Sequence, residues 1–312
     1  MKKILIILLV FLLAVVTACH QFVKSDVKEG EKAVIKIGYL PLTHAVPLFV
    51  QHNQQYEDYT LELVKFGSWP ELMDALNTGA IDGASVLMQL AMNAKEKGID
   101  LKAVALGHRD GNALIGAMNI QNIQDLKGKN FGIPSRFSTH NVLLNEMLKA
   151  NGMTYSDIHA IELPPAEMPA ALSEGRIAGY VVAEPFGAIS VALGKGKVLA
   201  QSEDIWKDSI DCGLVLRQQF IDKHHDLAKT FVKDYVAAGQ EANEKDVHAE
   251  DIIKQYVKVE DNVLDLSLKW ISYDNLAIEK ESYDILRNAS LELGISKNPP
   301  TYEQFVDNSL LP

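Results

Sequence analysis

The sequence is poor in cysteine, in positive charge and in long apolar runs, and each shortage excludes something. Two cysteines in 312 residues cannot make a disulfide scaffold, and they form no pair at metal-ligand spacing. Lys and Arg number 30 against 41 Asp and Glu, a formal charge of −11. No basic face follows from such a balance, so nucleic acid is excluded as a partner. The apolar run Ile4–Val16 is 13 residues long, short of the roughly 20 that a membrane-spanning helix needs. There is no GxSxG elbow, P-loop or GxGxxG fingerprint. What remains, 47% hydrophobic and 23% charged, is the composition of a folded globular chain. Its length exceeds what one ordinary core serves, so two lobes or domains are expected.

The N-terminus carries an address. Lys2 and Lys3 precede the apolar run and Thr17-Ala18-Cys19 follows it, the charged start and small-residue end of a secretory signal. Val16-Thr17-Ala18-Cys19 resembles a bacterial lipobox, the alternative being a plain signal peptide with an incidental cysteine. The resemblance implies that residues 1–18 are removed and that Cys19 is acylated, with palmitate or a similar chain, at the extracytoplasmic face of the cell membrane. Removal takes away two lysines and no acid, so the charge becomes −13. Residues 19–33 are polar and without periodicity, and read as an anchor and tether. Cys212, the other cysteine, is expected to be buried and without a partner.

From Val34 onwards short apolar segments alternate with capped helices, the pattern of α/β units. Strands are expected at Val34–Leu40, Tyr59–Phe66, Asn130–Ile133, Ala178–Ala183 and Gly196–Ala200, with Asp211–Arg217 leading out of the second unit. Ser68, with Pro70 and Glu71 behind it, reads as a capping box opening a helix that Gly79 closes. Thr139–Ala150 reads as a helix ended near Gly152. After Gln218 the chain turns helical and is expected to pack back on the first unit. Lobe 1 then comprises residues 34–112 and 217–312 and lobe 2 residues 113–216, with crossings near Asn112–Asn119 and Asp211–Leu216. The cleft between lobes is the expected site.

Motifs falling in order over nearly the whole mature chain carry a family resemblance. They are Ile37-Gly38-Tyr39-Leu40-Pro41-Leu42-Thr43 with Ala45 and Pro47, Gly67-Ser68-Trp69, and Gly79-Ala80-Ile81-Asp82-Gly83. Asp125-Leu126-Lys127-Gly128-Lys129, Leu163-Pro164-Pro165 with Glu167-Met168, Ala171-Leu172-Ser173-Glu174-Gly175 and Glu184-Pro185-Phe186 follow. Together they resemble the solute-binding proteins of nitrate/sulfonate/taurine-type ABC importers. The resemblance implies an α/β, two-lobed periplasmic-binding-protein fold of type II that closes on a solute and delivers it to a permease and its ATPase. It implies a monomer with no cofactor and no catalysis. The related pyrimidine synthases of thiamine biosynthesis carry a cysteine-rich motif that is absent here. The solute expected is a small organic sulfonate or similar anion, with nitrate, bicarbonate or a neutral thiamine pyrimidine precursor as alternatives. An adhesin or wall-assembly lipoprotein is the rival of another class.

Candidate ligand contacts sit where strands end and helices begin, because free N–H groups face outward there. Thr43 and Ser138 either cap helices or meet the ligand. Trp69 either packs in a first turn or lines the cleft, and Ser85 stands near a strand end. Arg136, Ser138 and Thr139, beside a helix start, suit an anionic group, unless Arg136 pairs with a surface carboxylate. Glu184, before Pro185, either accepts from a ligand or holds the hinge. His44, His108 and His140 also fall at element edges. They lie on different loops with no HxH or HExxH spacing, so only tertiary structure could assemble them into a metal site. The expectation is ligand contact at these edges and no metal.

Overall fold

The computed structural model describes residues 32–312; Cys19 and the expected signal peptide lie outside the described residues, with most of the tether. Residues 34–312 form one unit built on two sheets. β1 (Ala33–Tyr39), β2 (Tyr59–Lys65), β3 (Gly83–Leu87) and β4 (Leu101–Leu106) begin the first. β5 (Arg109–Asp110) is a two-residue strand at the first crossing. β6 (Asn112–Ala117), β7 (Asn130–Ile133), β8 (His159–Glu162), β9 (Gly179–Ala183) and β10 (Gly196–Gln201) make the second sheet, in the order β10-β6-β9-β7-β8. β11 (Cys212–Arg217) then returns to the first sheet, whose order is β2-β1-β3-β11-β4. β12 (Ile271–Ser272) pairs with β5. Among the described residues no helix is long and apolar enough to cross a membrane.

The sheet order differs from the expected lobe boundaries at both crossings. Asn112–Ala117 is no connector: it is β6, antiparallel to both β9 and β10. Its apolar run Ala113–Ala117 after Asn112 suits a strand covered on both faces. Cys212–Leu216, expected at the end of the second lobe, together with Arg217 pairs antiparallel to β3 and β4. The chain therefore crosses at residues 107–111 and again just before Cys212. Both crossings are short, so residues at their ends are held close to both lobes.

Each lobe has its own core. In the first, Phe49 and Val50 of the helix Val46–His52 pack with Ala238, Ile253, Leu264 and Tyr273, so the C-terminal helices cover the first sheet. In the second, Leu143, Leu144, Met147 and Leu148 of the helix Thr139–Ala150 pack on Phe131 and Val181. Side chains of that size are worth about 1.5–3 kcal/mol each when buried, so the first turn of this helix is firmly placed. Ser138 caps it, accepting from Asn141 N at 3.3 Å. The expected capping box at Ser68 is not made. Its side chain gives the helix Trp69–Thr78 no cap bond, while Glu71 Oε2 accepts from Gly67 N at 3.3 Å. Gly79 ends this helix at φ 80°, a left-handed position that favours glycine.

Candidate functional site

Five ionisable side chains meet where the lobes join. His44 lies in the single 3-10 turn Thr43–Ala45 directly after β1, and His108 follows β4. Asp211 and Cys212 stand at the start of β11. His140 comes from the second lobe, in the first turn of the helix Thr139–Ala150. All five are between 1% and 3% exposed, a condition that charged groups tolerate only when paired or liganded.

A tight turn sets the imidazoles. Asp110 and Gly111 both have positive φ, 59° and 76°, which aspartate tolerates and glycine adopts freely. Their successive carbonyls reach two rings: Asp110 O lies 2.7 Å from His108 Nδ1 and Gly111 O lies 3.0 Å from His44 Nε2. A carbonyl can only accept, so each of these nitrogens carries its proton. In neutral His108 the other nitrogen, Nε2, is then a bare lone pair, and His44 Nδ1 belongs to the same group of donor atoms. Those two nitrogens face one carboxylate. His44 Nδ1 is 3.2 Å and His108 Nε2 is 3.8 Å from Asp211 Oδ2, and the two rings stack with centroids 3.5 Å apart. His140 Nδ1 lies 3.5 Å from Asp211 Oδ1.

The cluster is short of hydrogen bonds. His108 Nε2, both nitrogens of His140 and Asp211 Oδ1 are buried with no hydrogen-bond partner. Burial pushes the His140 imidazole down to about 4, and pushes His108 well below its ordinary range, so both rings are neutral at pH 7. Burial alone would raise the Asp211 carboxyl, but His140 and His44, with His108, hold it far below the usual carboxylate range. A charged carboxylate thus faces His108 Nε2, a buried nitrogen with no proton to offer it, while His44 stands close enough to hydrogen-bond the carboxylate. Burial, reinforced by Asp211, pushes the Cys212 thiol well above its ordinary value.

The spacing suits a tetrahedral cation. Bonds of about 2.0–2.3 Å place tetrahedral donors roughly 3.3–3.8 Å apart. The separations here are 3.2 Å for His44 Nδ1 to Asp211, 3.8 Å for His108 Nε2 to Asp211 and 3.4 Å for His44 Nδ1 to Cys212 Sγ. Donor atoms of His44, His108, Asp211 and Cys212 all lie within 4.8 Å of one another. The two ring-to-carbonyl hydrogen bonds are the outer support that metal-bound histidines ordinarily have.

The other residues singled out in the sequence go elsewhere. Thr43 ties the lobes together, its N and Oγ1 each donating to Glu184 O at 3.0 Å. Thr139 Oγ1 donates to Ile210 O at 2.7 Å, fixing the second crossing to the helix that carries His140. Ser138 serves as a cap. Ser85 is buried in β3 opposite Leu214. Arg136 is held 70% exposed by its side chain and pairs with Glu162 at 3.6 Å, so it stands outside the imidazole cluster. Trp69 is buried and lines a cleft of about 490 Å³ between the lobes, facing Pro134, Ser135 and Phe137. Glu184 Oε2 accepts from Ala188 N at 2.9 Å and Ser267 Oγ at 3.2 Å, and burial pushes its carboxyl up to about 8. The tertiary structure does assemble the three histidines, which lie on separate loops in the sequence, around Asp211. The sequence reading missed Asp211, whose signal was a lone acid heading the apolar stretch Cys212–Arg217.

A model of the NMT1-like family matches residues 28–255. The chain belongs to the NMT1-like family. Its relatives include the ligand-binding component of an ABC-type import system from Staphylococcus aureus, solved with zinc bound. That protein is 44% identical with a TM-score of 0.85, over 89% of this chain and 98% of that one. The periplasmic nitrate-binding protein NrtA of Synechocystis shares the fold, with a TM-score of 0.77 at 20% identity over 90% of this chain and 87% of its own. The nitrate import ATP-binding protein NrtC of Synechocystis is 27% identical over 263 residues, 76% of this chain and 39% of that protein. This NMT1-like chain thus spans well under half of that relative. Its two sheets and crossings are those of the periplasmic-binding-protein fold.

Proposed function

We propose that this chain is the extracytoplasmic solute-binding component of an ABC importer, and that its solute is a divalent transition-metal ion captured between the lobes. The observation that carries the reading is the convergence of the unpartnered ring nitrogens of His108 and His140 on the buried Asp211 carboxylate. Buried polar atoms without protein partners are ordinarily met by a water, an ion or another ligand. A cation satisfies His108, His140 and Asp211 together, whereas an anion would meet the carboxylate's charge at close range. The zinc in the Staphylococcus aureus relative supports the same choice. So does the acid excess, which draws a cation toward the protein. The reading replaces the expectation of a site without metal.

Cys19 would hold the protein by a lipid at the membrane, within reach of a permease and its ATPase. Capture without chemistry is enough for this role. A small anion keeps one observation in its favour, the nitrate relatives. Against it, the Arg136 charge assigned to the anion is exposed and paired with Glu162.

The test is calorimetric titration of chelator-stripped protein with zinc, taurine and nitrate. One zinc per chain, with no heat from the anions, is the expected result. Free zinc at a hundred times its Kd should then add about 2.7 kcal/mol of stability. Stabilisation by an anion and none by zinc would replace the reading.

A further inference from the structure

The ion reading leaves a charge unbalanced. A divalent ion held by neutral imidazoles and the single Asp211 carboxylate would leave a net positive charge sealed from water, which a protein interior accommodates poorly. One more anionic donor would cancel it. Cys212 Sγ is 3.4 Å from His44 Nδ1 and 3.7 Å from Asp211 Oδ2. Its donor atom belongs to the same 4.8 Å group as those of His44, His108 and Asp211. The unpartnered Nε2 of buried His108 also belongs to this group, so the thiol is one side of an under-satisfied cluster.

We infer, resting on the ion-binding reading, that Cys212 joins the ion as a thiolate and makes the site selective for thiophilic ions of the zinc class over magnesium, calcium and manganese. On binding, the S–H bond breaks, the electron pair stays on sulfur as the donor to the ion, and the proton leaves to the solvent. Ion, carboxylate and thiolate then sum to zero charge in the buried pocket. Thiolate donors favour zinc and copper(I), while hard oxygen-seeking ions gain little from sulfur. Cys212 has no second cysteine with which to form a disulfide among the described residues, so its sulfur stays available to the ion.

The probe is cobalt(II), read by absorption, alongside competition between zinc and manganese. The wild-type protein should show a near-ultraviolet thiolate-to-cobalt charge-transfer band. Cys212→Ser should still bind cobalt, lose that band, and lower the preference for zinc over manganese by at least about tenfold. Far-ultraviolet circular dichroism checks that the variant folds, and the wild-type spectrum decides the point even if it does not. Cobalt bound by the wild-type protein without the band overturns the inference, as does an unchanged preference in Cys212→Ser. Failure of both zinc and cobalt to bind removes the ion reading itself and the thiolate with it.

Discussion

Asp211 and Glu184 are both carboxylates sealed from water, at 2% and 0% exposure, and they are driven to opposite charge states. Glu184 receives a backbone N–H and the Ser267 hydroxyl on one oxygen, leaves the other unpartnered, and faces no cation. Burial wins there, and the group is mostly neutral at pH 7. Asp211 has three imidazoles around it, and they hold it ionised. The same carboxylate chemistry thus makes a neutral strut in one place and, on the proposed reading, an anionic ion ligand in the other. The difference lies in what the neighbouring elements present, two main-chain and hydroxyl donors against three ring nitrogens.

The largest effect should come from replacing the charged member. Asp211→Asn keeps the shape and removes the charge, and should lower zinc affinity by more than the roughly 10–100-fold that losing an outer partner of a metal ligand costs. Its amide N–H can donate to the bare His108 Nε2, so the ion-free protein should melt no lower than the wild type. Calorimetry and a thermal melt check both halves. Near-wild-type zinc affinity would remove Asp211 from the site.

A second change tests the contribution of the other lobe. His140 is the one donor of the cluster from the second lobe among the described residues. His140→Ala should keep the lobe 1 donors but weaken zinc by about 10–100-fold. A zinc-induced contraction is expected in small-angle scattering of the wild type, and it should shrink in this variant. Contraction equal to that of the wild type would show that closure does not use this residue.

The smallest effect falls on the neutral acid. The folded protein holds the Glu184 proton up to about 8, from an ordinary value of 4.5. The unfolded chain binds fewer protons across that window, so this group's contribution is complete below about pH 4.5 and is lost as pH rises through about 8. Tyr180, whose hydroxyl burial also pushes up, is the titratable neighbour, and it stays neutral throughout. Glu184→Gln imitates the protonated acid. Its melting temperature should fall less than that of the wild type between pH 5 and 9, with zinc affinity unchanged. Parallel melting curves would contradict the assignment of a neutral Glu184.

Much of the fold was legible because its signals are local. Asn130–Ile133 and Thr139–Ala150 have the bounds their apolar pattern, cap and terminating glycine specify. The crossings were not: Asn112–Ala117 fits a connector or a buried strand equally well, and Asp211–Arg217, legible as a strand, carries no sign of which sheet it joins. Partner strands decide both. The site was half legible. His44, His108 and His140 were visible as residues at element edges, yet His44 and Cys212 are 168 residues apart and no spacing rule reaches that far. The turn at Asp110-Gly111 was written in the sequence as a turn dipeptide. That its two carbonyls would orient two imidazoles depends on β4, β6 and the turn after β1 being brought together. Arg136 shows the converse: a helix-edge cation attractive in sequence turns outward to Glu162 once the loop is folded.

The central claim is that an ion sits among the histidines at Asp211. Crystals of zinc-loaded protein measured on either side of the zinc absorption edge test it most directly. The account predicts one anomalous peak per chain, bounded by His44, His108, His140 and Asp211. A fully zinc-loaded crystal with no peak there, or with its peak at a surface carboxylate, would contradict it.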